Sequence, residues 1–174
     1  MWIQNISATD VEIGKHLEPG DNTMLIQIMD QDEDFPVPKR QFKEVHQFKF
    51  LDIEDDGQTN MGDGDWTDMT DLAITDRQAE DIAKLLLHAR EKKMNVLVHC
   101  YAGIFRSGAV AEVGIQLGFS DTDAFRCPNR LVKRKLLKAL RLPFKDQEPM
   151  MINGQLTEKT KTGIIITKVR DERA

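Results

Sequence analysis

Strands alternating with helices predict an α/β fold, a central and mostly parallel sheet flanked by helices. Three observations carry that expectation. Apolar runs of strand length, at Met24–Met29 and Val96–Val98, are separated by stretches whose apolar residues recur at helical spacing. One helix start carries complete capping chemistry, with Thr75 followed three residues later by Gln78. The chain has 174 residues, 40% of them apolar, which suits one sizeable core and leaves little room for a second domain.

The elements follow in order. Met24–Met29 reads as a buried strand, and Phe48–Ile53, alternating at first and apolar at its end, as another. A loop rich in Gly and Asp runs on through Gly57, Gly62 and Gly64 with no apolar period. The helix capped by Thr75 turns Ala79, Ile82, Leu86 and Ala89 to one face. Val96–Val98 is a buried strand. Ser107–Leu117, small and apolar, is a buried helix. Pro128 opens a basic amphipathic helix with Leu131, Leu136, Leu137 and Leu140 inward, and Pro143 ends it. Gly163–Val169 predicts a C-terminal strand.

Composition excludes several classes. Lys and Arg number 24 against 29 Asp and Glu, a net charge of −5 that argues against a surface built for nucleic acid or an anionic membrane. No apolar run approaches the ~20 residues that cross a bilayer. The start of the chain lacks the basic-then-apolar pattern of a secretory signal. Two cysteines, Cys100 and Cys127, make no disulfide framework, so a reducing, cytoplasmic setting is expected. Charge falls in blocks: nine acids and no base over 51–76, eight bases and no acid over 126–145. Each block reads as a solvated surface; alternatively, the basic stretch meets an anionic partner or the acidic block itself. His16, His46 and His88 are isolated and lack metal-ligand spacing, so no metal or cofactor is expected.

One segment stands apart: Val98-His99-Cys100-Tyr101-Ala102-Gly103-Ile104-Phe105-Arg106-Ser107-Gly108. A buried strand ends at His99, a short loop containing Gly103 follows, and a helix begins near Arg106. The successive N–H groups of such a loop form an anion nest, reinforced by the positive end of the helix dipole. A cysteine at its mouth is stabilised as thiolate, itself an anion. An arginine at its far end can fork onto two oxygens of a tetrahedral oxyanion. Thiolate, amides and guanidinium together suit nucleophilic attack on phosphorus. Cys127 has no such company and reads as a core residue.

His99-Cys100-x-x-Gly103-x-x-Arg106-Ser107 resembles the signature of the cysteine-dependent protein tyrosine and dual-specificity phosphatases, and Cys100–Ile104 is most similar to small bacterial members. Pro128-Asn129 and Val132 resemble a segment that follows the loop in that group. The resemblance is clearest over 48–140. It implies one phosphatase-like domain over 1–174, with 146–174 as a C-terminal extension. It further implies that Cys100 becomes a phosphocysteine, Arg106 binds phosphate, Ser107 assists breakdown of the intermediate and His99 supports the thiolate. Tyr101, Ala102, Gly103, Ile104 and Phe105 would line the substrate, a phosphorylated protein. The activity implied is metal-independent hydrolysis of phosphotyrosine, with phosphoserine and phosphothreonine open. An RNA 5′-triphosphatase of the same superfamily and a non-catalytic phosphate reader are the alternatives. Phe105 and Gly108 depart from the usual pattern, which bears on substrate preference rather than on the nucleophile.

The family also uses an Asp on a loop after a strand as proton donor. Measured from the strand, Asp55 takes that role. Measured back from Cys100, Asp55 is 45 residues away, longer than the family norm, and Asp68 and Asp71 lie nearer the expected distance. The strand ruler is preferred because a loop absorbs insertions while the pleat fixes where a strand end points. Asp55 therefore leads, with Asp52, Asp56, Asp65, Asp68 and Asp71 behind it.

Overall fold

The computed structural model describes residues 1–54, 58–60, 66–68, 70–144, 150–152, 155–159 and 165–168. The chain divides into two compact units, Met1–Pro143 and Phe144–Ala174.

The first unit is built on five strands: β1 (Trp2–Ser7), β2 (Thr23–Met29), β3 (Glu44–Lys49), β6 (Asn95–Cys100) and β7 (Ser120–Asp121). A short antiparallel pair, β4 (Gln58–Asn60) and β5 (Trp66–Asp68), stands apart from them, within the stretch expected to be a loop. The helices are α1 (Ala8–Ile13), α2 (Asp76–Glu91), α3 (Arg106–Gln116) and α4 (Arg130–Ala139). The main sheet runs β3-β2-β6-β1-β7 and every ladder in it is parallel. A sheet buried on both faces needs continuous apolar strands. β2 is buried at all seven positions, and β6 at all but its first residue.

Topology positions the site. β1 connects through α1 to β2, and β6 through α3 to β7, so the two crossovers run in opposite directions along the sheet. The right-handed sense of such crossovers sends their helices to opposite faces, which opens a crevice at the carboxyl ends of β1 and β6. Ser7 and Cys100, paired in register, stand at that edge.

The expected α2 is present with its full capping box, and Ala79, Ile82, Leu86 and Ala89 are buried as read. Three expectations shift. The strand expected over 48–53 is β3 at Glu44–Lys49, because its ladder follows β2 from Met24–Glu44 to Met29–Lys49 and ends where β2 ends. Phe50 and Ile53 owe their apolar character to core packing beyond the strand. α4 stops at Ala139, ahead of Pro143, with Arg141 left-handed at φ 56°, and Leu140 is only half-buried. β1 was not foreseen at all.

The second unit holds an antiparallel sheet in the order β10-β9-β8, from β8 (Met150–Ile152), β9 (Gln155–Lys159) and β10 (Ile165–Lys168). β10 falls within the expected C-terminal strand. β9, with Leu156 as its lone apolar residue, gave no strand signal.

Candidate active site

β6 delivers Cys100 to the crevice with its side chain buried. The next five residues form the loop, and the carbonyls of four of them are turned away from its interior. Tyr101 O accepts from Ala8 N at 3.2 Å, Ile104 O from Cys127 N at 3.2 Å, and Phe105 O from Asn129 N at 3.1 Å. Gly103 O accepts from the side chain of Asn5 at 2.8 Å. In a trans peptide the N–H points opposite to the C=O. The amides of Ala102, Ile104, Phe105 and Arg106 therefore face the other way, into the loop. α3 begins directly afterwards, and its N-cap, Phe105, makes no side-chain capping bond. Its first N–H groups are thus left to an incoming anion.

Two glycines make this backbone possible. Gly103 has φ +75°, and a Cβ there would lie 2.3 Å from the Ile6 carbonyl carbon and the Ser7 nitrogen. The loop rests directly on β1. Gly108 lets the 126–127 segment approach α3, since a Cβ would sit 2.9 Å from Arg126 Cβ. Its departure from the family pattern thus has a local steric cause.

Arg106 is 3% exposed. Its Nη1 donates to Asp30 Oδ1 at 2.5 Å and to the Phe50 carbonyl at 2.6 Å. Its Nε is buried and has no hydrogen-bond partner, the Asp52 carboxylate standing 3.9 Å away. One edge of the guanidinium is anchored while a donor of another is unspent. A buried, unsatisfied cationic donor is costly, and an oxyanion would satisfy it. Cys100 Sγ lies 3.2 Å from Ser107 Oγ, a hydroxyl placed to donate to a thiolate. His99 is fully buried, and neither ring nitrogen completes a hydrogen bond. Burial pushes its pKa down to about 4, against an opposing contact with the Cys100 backbone and with the Arg106 charge adding to the shift. At neutral pH the ring is uncharged, so it lends the thiol no positive charge.

The structure brings Cys100, Arg106, Ser107 and the loop 101–105 to one place, with Tyr101 and Ala102 exposed, Gly103 buried, and Ile104 and Phe105 half-buried. Asp52 joins them: its Oδ1 accepts from Asn129 Nδ2 at 2.7 Å. Asp55, Asp56 and Asp65 lie outside the described residues, as do Gly57, Gly62 and Gly64 of the expected loop. Asp68 ends β5, and Asp71 is exposed in a short 3-10 turn, Thr70–Leu72.

Sequence reasoning missed Asp30, Asn5, Asn129 and Arg126 as parts of this arrangement. Asp30 follows a buried parallel strand, a position where ligand sites gather and a signal that was available. His46 and His88 are not isolated, since each ring Nε2 lies 3.2 Å from a different oxygen of Glu44. Among the described residues no group of His, Cys, Asp and Glu could hold a metal ion. The charge blocks meet in part: Lys135 and Lys138 both pair with Asp76 at 3.0 Å.

No protein-family model matches the chain, and no curated protein sequence does. Among solved structures it is similar to OH1 from the Orf virus, described as a tyrosine phosphatase with distinct structural features and triple substrate specificity. The identity is 16% and the TM-score 0.38, over 80% of this chain and 69% of that one.

Proposed function

We propose that the protein is a phosphatase that hydrolyses phosphate monoesters, phosphotyrosine foremost, through a phosphocysteine intermediate. The buried Nε of Arg106, with no hydrogen-bond partner at the end of an inward-facing amide loop, is the observation that carries the reading. Phosphate oxygens would take the loop amides and the open guanidinium donor while Asp30 and Phe50 O hold the other edge. The Cys100 thiolate would attack phosphorus as the ester oxygen leaves with a proton. Water would then cleave the S–P bond, and Ser107 Oγ, 3.2 Å from the sulfur, would donate to the departing thiolate. Charge stabilisation comes from amides and guanidinium, so the reaction asks nothing of a metal. Asp55 is assigned as proton donor on the resemblance of the 48–55 segment alone, since the strand before it ends at Lys49. Asp52, already engaged by Asn129 and near Arg106, arranges the site instead.

Hydrolysis of aryl phosphates with graded leaving groups, in the presence of a chelator, tests this. Cys100→Ser should abolish turnover. Asp55→Asn should slow poor leaving groups by roughly 10²–10⁴ and acidic ones far less, the signature of lost general acid catalysis. Wild-type turnover in Cys100→Ser would sink the phosphocysteine mechanism. If Asp52→Asn shows the leaving-group dependence instead, the donor assignment moves to Asp52.

A further inference from the structure

Four carbonyls around the loop must stay turned outward for its amides to face an anion. Three of them, those of Tyr101, Ile104 and Phe105, accept from backbone N–H groups that any side chain would supply. The fourth, Gly103 O, is held by a side chain, Asn5 Nδ2 at 2.8 Å. Gly103, lacking a Cβ, restrains its own ψ less than any other loop residue does, so the 103–104 peptide relies on this hydrogen bond to keep its carbonyl outward. Turned over, it would point a carbonyl inward and withdraw the Ile104 N–H.

We propose that Asn5 is a positioning residue of the phosphate-binding loop, barring that peptide flip, and that Arg126 fixes the orientation of its amide. The inference rests on the phosphatase reading above and extends it to two residues outside the motif.

Asn5 is 3% exposed on β1, paired in register with Val98, a place where an amide is costly unless satisfied. Its second donor contact is Phe125 O at 2.9 Å, and its Oδ1 accepts from Arg126 Nη1 at 3.3 Å. Carbonyls cannot donate and a guanidinium cannot accept, so only one amide orientation fits. Arg126 is itself held: Nε donates to Glu112 at 3.1 Å, Nη1 to Ala124 O at 3.3 Å and Nη2 to Asp121. Glu112 takes a further bond from Lys133 at 3.1 Å. The missing Cβ at Gly108 is what lets Arg126 lie this close to α3. A rigid cation thus presents a donor to Asn5 Oδ1, which leaves the NH2 group facing Gly103 O.

Asn5→Asp is the sharpest test. It preserves shape and the Arg126 contact while replacing the donors to Gly103 O and Phe125 O with an acceptor. Binding of inorganic phosphate is measured by calorimetry well below the melting temperature of every variant. Leu86→Ala, a buried α2 position remote from the motif, serves as a destabilised control. Asn5→Asp should weaken phosphate binding at least about tenfold, the worth of one lost hydrogen bond. Arg126→Gln should weaken it less, and Leu86→Ala should bind like wild type while melting lower. Wild-type affinity in Asn5→Asp would overturn the proposal, and so would an equal loss in Leu86→Ala, since that would make the effect one of general stability. Should Asn5→Asp not fold, Asn5→Ser decides by the same criterion. A wild-type protein that binds no phosphate and hydrolyses no aryl phosphate would instead refute the phosphatase reading itself.

Discussion

His99 illustrates how a single buried side chain sets a pH limit on the fold. Burial lowers its pKa from 6.5 to about 4. The unfolded chain takes up a proton near 6.5 and the folded chain only near 4, so unfolding binds a proton between those values. Stability therefore falls as pH drops through that window and levels off below it. At 1.36 kcal/mol per pH unit, the displacement corresponds to a loss on the order of 3 kcal/mol. The melting temperature of the wild type should decline between pH 6.5 and 4, and His99→Asn should flatten that decline. An unchanged slope in the variant would assign the titration elsewhere. At this scale the sequence was legible where chemistry is contiguous. Cys100, Arg106 and Ser107 sit in one run, and five residue types at fixed spacing announce them. Asp30 meets Arg106 across 76 residues, Asn5 meets Gly103 across 98 and Arg126 meets Asn5 across 121, in hydrogen bonds that no local pattern records.

At the scale of elements, the loop depends on how closely α3 and the chain before it can lie on β1. Gly103 and Gly114 mark that contact, the latter with a would-be Cβ 2.6 Å from Ile3 Cδ1. Gly103→Ala should be the more damaging. Its Cβ would meet backbone atoms of Ile6 and Ser7 rather than a side chain that can swing away, and its φ of +75° suits an L residue poorly. Strain and overpacking, each about 1–3 kcal/mol, would move the loop or the strand. The expected outcome is a lowered melting temperature together with lost phosphate binding. A Gly103→Ala protein with wild-type binding would mean that the loop does not rest on β1. Helices were easier to read than strands for a physical reason. α2 carries a capping box and one clean apolar face. β3, an edge strand, alternates polar residues whose burial pattern is half-buried against exposed. β1 mixes Gln4, Asn5 and Ser7 among its apolar residues because that strand serves the site as well as the core.

For the molecule as a whole, several cations of the basic stretch pair with acids of the first unit. Arg126 is answered by Asp121 and Glu112, Lys133 by Glu112, and Lys135 and Lys138 by Asp76. Three cations of α4, Lys133, Lys135 and Lys138, thus face acids of the same unit. Every described residue of the candidate site also lies in Met1–Pro143: Asn5, Asp30, Asp52, Cys100, Arg106, Ser107, Arg126 and Asn129. So do the partners that hold them, from Ala8 and Phe50 to Glu112 and Asp121. The hydrogen bonds that shape the loop thus come from the unit that carries it, while Phe144–Ala174 builds a sheet of its own. A chain ending at Pro143 should unfold in one cooperative transition and bind phosphate within about threefold of the full chain, a difference of roughly 0.6 kcal/mol. Calorimetric melting and a phosphate titration on both chains measure this. Cooperative melting with phosphate binding lost would place a contribution to the site in 144–174, and a chain unable to fold would show that the first unit needs the second for stability.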